Sequence, residues 1–210
     1  MKKIFLFLEF IAVLLFCNLN ILAYQYSRGE FTCVSPPKSV LPPPELRCAS
    51  VAVSGDVTLT WIPVNDTDAS FYNYFIYSET NAAGPYSIID SIFNINQSSY
   101  THIGAGANTQ SIYYFIKTRS GSIGEFFSAA SDTLQTIFLN AVNSGSGTAQ
   151  LDWKSLHNPN LPTSLNYYHI WREYPAGSWV MIDSTLGLTY ADTITLCNTV
   201  LNYYVDIEDS

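Results

Sequence analysis

The sequence predicts an all-β chain built as two tandem β-sandwiches, the second lacking its last strand. Three observations carry this. Of the 210 residues, 48% are hydrophobic and 15% aromatic but only 12% charged, a balance suited to pleated surfaces on which Tyr, Phe and β-branched side chains pack. After residue 24 no stretch keeps a helical period over three turns, whereas short alternating runs broken by Gly, Asn, Asp and Ser recur at strand spacing. The chain also repeats itself at an interval of about ninety residues.

The N-terminus, MKKIFLFLEFIAVLLFCNLNILA, sets Lys2 and Lys3 ahead of an apolar run from Ile4 to Phe16. A basic start and a run of that length predict a secretory signal peptide over residues 1–23, ending at Ala23. An uncleaved anchor fits less well, because Glu9 interrupts the run and Asn18 and Asn20 follow it. A lipoprotein signal would use Cys17, but bulky Phe16 stands where such signals want a small residue.

Residues 24–44 read as a proline-rich spacer. SPPKSVLPPPEL holds five prolines in twelve residues, which favours an extended, semi-rigid segment. The first sandwich is then expected over 45–136 and the second over 137–210. Four landmarks recur in the same order. VTLTW (57–61) matches AQLDW (149–153), and YFIYSETNAAGPYSIIDS (74–91) matches YHIWREYPAGSWVMIDS (168–184). Tyr100 of SSYTHI then matches Tyr190 of LTYADT, and YYFIKT matches NYYVDI with Tyr114 against Tyr203.

Strand alternation sends Val57, Leu59 and Trp61 of DVTLTW inward and Thr58 and Thr60 outward. The expected structural core is Trp61, Tyr74, Ile76 and Tyr114 in the first copy and Trp153, Tyr168, Ile170 and Tyr203 in the second. A buried indole of this kind contributes ~3–5 kcal/mol against Ala. The chain is expected to cross near Thr136 to Asn140, with Trp61 and Trp153 in separate cores and limited flexing between them.

Over residues 45–210 this order resembles the fibronectin type III family: a Trp late in the second strand, a Tyr-x-Ile strand, and a later Tyr-x-(Val/Ile) strand at a tyrosine corner. In the first copy these are Trp61, Tyr74-Phe75-Ile76 and Tyr114-Phe115-Ile116. In the second they are Trp153, Tyr168-His169-Ile170 and Tyr203-Tyr204-Val205. PPPELRCASVAVSGDVTLTW (42–61) also looks like the start of such modules in surface proteins of gliding Bacteroidetes. The resemblance implies two immunoglobulin-like (fibronectin type III) β-sandwiches. It also implies that the hydroxyls of Tyr114 and Tyr203 reach backbone groups of the preceding loops.

Nine basic residues face 17 acidic ones, a net charge of −8, and removal of Lys2, Lys3 and Glu9 with the signal leaves the chain more acidic still. Such a chain is repelled by phosphate, so nucleic acid is not an expected partner, nor is membrane insertion of the mature chain expected. Three cysteines remain after the signal. Cys33 and Cys48 are expected to pair, tying the spacer to the first strand at ~3 kcal/mol, which leaves Cys197 over.

Chemistry-bearing motifs are sparse. His102, His157 and His169 have no metal spacing around them and read as surface residues; no hydrolase or zinc template matches. GAGANTQS (104–111) has neither the lysine nor the helix of a phosphate loop and reads as a strand connection. NDTDAS (65–70) offers too few carboxylates for calcium. No catalytic residue, metal ligand or cofactor is expected.

Tyr77 and Tyr86 of the first copy become Trp171 and Trp179 in the second, flanking a turn at Gly84 or Gly177. They form either a cross-strand brace or an aromatic surface for a neutral ligand, with Arg172 the one basic residue beside them. The expected function is a non-catalytic, secreted or cell-surface spacer, adhesion or interaction module whose partners are other proteins or surface glycans. The alternative is an accessory, carbohydrate-binding part of a larger secreted hydrolase. The counterpart of the strand near Phe126 to Leu134 falls past residue 210. The Tyr203 strand is therefore expected to be an open edge beside Val205 and Ile207, and the chain is read as part of a longer protein.

Overall fold

The computed structural model describes residues 39–145, 147–157, 164–196 and 198–209. The signal peptide, Cys17, Cys33, most of the proline-rich segment and Cys197 lie outside the described residues. Among the described residues every regular element is a strand, and no helix is long and apolar enough to cross a membrane.

The first sandwich pairs β1 (Glu45–Val51), β2 (Val57–Ile62) and β5 (Ser99–His102) in that order, all antiparallel. The facing sheet runs β4 (Ser87–Ile92), β3 (Phe71–Glu79), β6 (Tyr113–Ser120) and β7 (Phe126–Phe127), and β8 (Leu134–Gln135) also pairs with β6. Between the sheets lie Val57, Leu59, Trp61, Tyr74, Ile76, Tyr114, Ile116 and Leu134, each at most 3% exposed. Trp61 meets Tyr74 edge-on with centroids 6.0 Å apart. The Tyr74 hydroxyl accepts the Val64 N–H (3.1 Å) and donates to the Ile95 carbonyl (3.1 Å), so the buried phenol leaves no polar group unpaired.

Two boundaries differ from the expectation. The proline-rich segment does not act as a spacer up to residue 44: Leu41 and Pro44 are buried, Leu41 within the first core, and the Leu41 N–H donates to Ser120 Oγ. Proline removes a donor but still packs, so Leu41 and Pro44 seat the end of the segment on the sandwich. The strand expected near Phe126 to Leu134 is split into β7 and β8, with serine hydroxyls joining the intervening segment to β6.

The second sandwich repeats the plan. β9 (Leu139–Asn143), β10 (Thr148–Trp153) and β13 (Thr189–Thr193) form one sheet with β10 central. β12 (Trp179–Thr185), β11 (Ser164–Glu173) and β14 (Asn202–Asp209) form the other with β11 central. Its core is Leu151, Trp153, Tyr168 and Ile170, with Tyr203 half-buried against it. Among the described residues no strand pairs with the outer side of β14.

Trp61 and Trp153 lie in different cores, but the cores touch. Ile137 and Ile207 pack against both, and Leu156, from the second copy, is buried in the first core. The Gln135 N–H donates to the Leu156 carbonyl (2.8 Å), and Gln135 Nε2 donates to the Ser155 carbonyl.

Candidate functional site

Two constellations recur in both copies: an aromatic cluster on the outer face of the β3- and β11-centred sheets, and a polar anchor beneath each late tyrosine. In the first cluster Tyr77 and Tyr86 do not brace each other. Both pack on Phe115 of β6, Tyr77 stacked at 4.6 Å and Tyr86 tilted at 4.8 Å. In the second, Trp171 stacks on Tyr204 of β14 at 5.5 Å and Trp179 leans on the same ring at 4.7 Å. Each aromatic pair is worth ~0.5–1.5 kcal/mol beyond its buried area.

Sequence reasoning missed Phe115 and Tyr204. The signal was present: Tyr114 and Tyr203 point inward, so the next residue in each strand points outward, onto the face that Tyr77 and Trp171 occupy.

The charge beside the rings also differs from the expectation. Arg172 does not accompany the second cluster; its Nη1 donates to both carboxylate oxygens of Asp192, at 3.0 and 2.8 Å. The cations stand on the first face instead. Lys117 Nζ lies 5.8 Å from the Tyr77 and Phe115 centroids. The Arg119 guanidinium lies over Tyr72 (5.0 Å), Phe127 (5.4 Å) and Phe75 (5.9 Å). Both residues follow Phe115 with outward parity on β6. The residue matching Lys117 in the second copy is Asp206, which accepts the Trp171 indole N–H at 3.3 Å and lies 3.3 Å from His169 Nδ1. One face is thus aromatic and cationic, the other aromatic and anionic. Of the two three-ring clusters the second is the more open, with Trp179 41% and Tyr204 38% exposed, whereas Tyr77, Tyr86 and Phe115 are all half-buried.

The tyrosine anchors correct a second expectation. Among the described residues neither hydroxyl bonds a loop backbone; each crosses to a side chain of the opposite sheet. The Tyr114 hydroxyl lies 2.9 Å from Nδ1 of His102 on β5. The Tyr203 hydroxyl donates to Asp192 Oδ2 at 2.8 Å, where Arg172 closes the trio. Burial raises both phenols well above their ordinary range, and for Tyr203 the bond to Asp192 adds to it. His102 is therefore not a surface histidine. Burial lowers its pKa, with the charge of Asp56 opposing, so the neutral ring is favoured and its Nδ1 shares a hydrogen bond with the Tyr114 hydroxyl.

The remaining sequence candidates fall in turns. In NDTDAS the Asp66 carboxylate accepts the N–H groups of Asp68 (3.3 Å), Ser70 (3.0 Å) and Phe71 (2.8 Å), so it closes the turn into β3. Among the described residues no three His, Cys, Asp or Glu side chains gather to hold a metal ion. Among the described residues Cys48 forms no disulfide, and its Sγ lies 3.7 Å from Ser50 Oγ; its expected partner Cys33 lies outside them.

No protein-family model matches the chain, and no curated protein is similar to it in sequence. Among solved structures it is similar to the FN1–FN3 domains of chicken CNTN1, at 13% identity and a TM-score of 0.38, over 83% of this chain and 63% of that one. It is also similar to the central fibronectin-III array of RIM-binding protein, at 11% identity and a TM-score of 0.38, over 83% and 66%. Titin kinase and its flanking domains follow, at 20% identity and a TM-score of 0.34, over 46% and 17%. The chain thus spans less than two thirds of the length of each of these.

Proposed function

We propose that this chain is an exported, non-catalytic interaction module. Two fibronectin type III-like sandwiches space and present an aromatic contact surface, in the secreted phase or at the cell surface. One observation carries the reading: the same three-ring cluster is built twice at matching strand positions, and in the second copy two of its rings are left about two-fifths exposed. Amphipathic rings on a rigid sheet lose little entropy on binding and suit a neutral partner, such as the face of a sugar ring or apolar protein side chains. Export is supported by the signal-like residues 1–23. The non-catalytic reading is supported by how the perturbed groups are used, since Tyr114, His102, Tyr203, Asp192 and Arg172 are all engaged in bonds between sheets.

The test is retention of chain-coated beads on a panel of neutral glycans and cell surfaces, comparing the native chain with Trp179→Ala/Tyr204→Ala. A tenfold or greater loss of retention with an unchanged circular dichroism spectrum is expected. Equal retention accompanied only by a lower melting point would reduce the rings to a brace for their hairpin and defeat the proposal.

A further inference from the structure

We propose that the outer faces of the two sandwiches are the two halves of one interface, the first sandwich of one copy docking on the second sandwich of another copy. The inference rests on the reading of the second cluster as a contact surface and names a partner for it. The observation behind it is a reversal of sign within the repeat. Tyr114 matches Tyr203, so Lys117 and Arg119 of YYFIKTR (113–119) fall at the positions of Asp206 and Glu208 of NYYVDIE (202–208). Two cations in one copy of the repeat thus become two acidic residues in the other. The chain has only nine basic residues and a net charge of −8, so a cationic face is not a by-product of its composition.

On the first face the Arg119 guanidinium lies over the Tyr72, Phe75 and Phe127 rings while its Nε donates to the Gly124 carbonyl. Stacked and bonded in this way, it is preorganised to offer its Nη groups to a carboxylate. Among the described residues neither Lys117 nor Arg119 lies within ion-pair distance of a carboxylate. Glu125 feels the charge of Arg119 but accepts the Ile123 N–H at 3.0 Å. On the second face the exposed Asp206 accepts the Trp171 indole N–H, and its two oxygens keep room for a cation as well. Positions two apart on a strand are roughly 7 Å apart, so the cations and the acidic residues recur at one spacing. Both faces are open in the single chain, with Tyr72 38% and Phe127 53% exposed on the first, so opposite signs meet between copies. Like faces would set cation against cation or carboxylate against carboxylate, which makes the pairing head to tail. A strand added beside β14 would widen that sheet in its own plane, while Trp171, Trp179 and Tyr204 stand out from it. The interface is therefore independent of what pairs with that edge.

Sedimentation of the exported chain over a range of concentrations reads the association. It is expected to grow with concentration and to weaken at least tenfold between about 0.02 and 0.5 M salt. Lys117→Asp/Arg119→Glu and Asp206→Lys/Glu208→Arg should each associate at least tenfold more weakly than the native chain. An equimolar mixture of the two should regain native strength, because each then meets the opposite sign. A native chain that stays monomeric, association indifferent to salt, or a mixture no stronger than its components overturns the proposal. Should a charge-reversed variant lose its strand circular dichroism, Lys117→Gln/Arg119→Gln takes its place, with the same tenfold loss expected and native-strength association counting against the interface. Every variant keeps Trp179 and Tyr204. Failure of the mixture therefore leaves the retention test of the aromatic surface untouched, and failure of retention leaves the mixture untouched.

Discussion

Tyr114 and Tyr203 stand at matching positions, yet their hydroxyls are held by a neutral imidazole in one copy and by an ion pair in the other. The two choices respond differently to acid. His102 stays neutral in the folded state because burial lowers its pKa, whereas the unfolded chain takes up the proton near 6.5. Folding stability therefore falls as the pH drops below 6.5 and levels off below the lowered folded value. The melting point of the first sandwich should fall as the pH drops from about 7.5 to 5.5, and His102→Gln should flatten that slope. In the second copy, Arg172→Met strands the buried Asp192 and should cost about 2–3 kcal/mol in chemical denaturation. Arg172→Met together with Asp192→Ala should cost less than the single change, since the uncompensated charge is gone. The tyrosines themselves were legible from the repeat. Their partners were not, because a contact between opposite sheets joins residues whose sequence spacing carries no periodic signal. Phe115 and Tyr204 do obey a periodic rule, since each follows an inward tyrosine in its strand.

Among the elements, the closing segment of the first sandwich was least readable. FFSAASDTL has no alternation of apolar and polar residues, because its serines do the work that backbone carbonyls do in a regular strand. In Ser131→Ala the buried Ile116 N–H loses its acceptor, at about 1–3 kcal/mol. Hydrogen exchange at Ile116 should quicken; unchanged exchange would show that β7 and β8 hold β6 without the hydroxyl. The turn before this segment is as constrained. Gly124 has φ +70°, and a Cβ there would meet the Tyr72 ring at 2.8 Å, so Gly124→Ala should disturb the Arg119 stack as well as the backbone. By contrast DVTLTW and AQLDW were readable, because each strand has one buried and one open face. Val57, Leu59 and Trp61 are buried while Thr60 and Ile62 are exposed.

For the molecule as a whole, the repeat made two cores visible in the sequence but not the joint between them. Leu156 belongs to the second copy by sequence and to the first core by packing. Leu156→Ala should therefore lower the melting point of the first sandwich, at ~2–4 kcal/mol for a largely buried leucine; a loss confined to the second sandwich would refute the assignment. Ile137 and Ile207 extend the same point, because each is counted in both cores. Side chains held in common make the two sandwiches thermodynamic neighbours, in the way that stacked repeats share interface energy. Whatever stabilises one lends part of that stabilisation to the other by linkage. A calorimeter would then register a ligand bound to the second sandwich as a delayed melting of the first, which the ligand never touches.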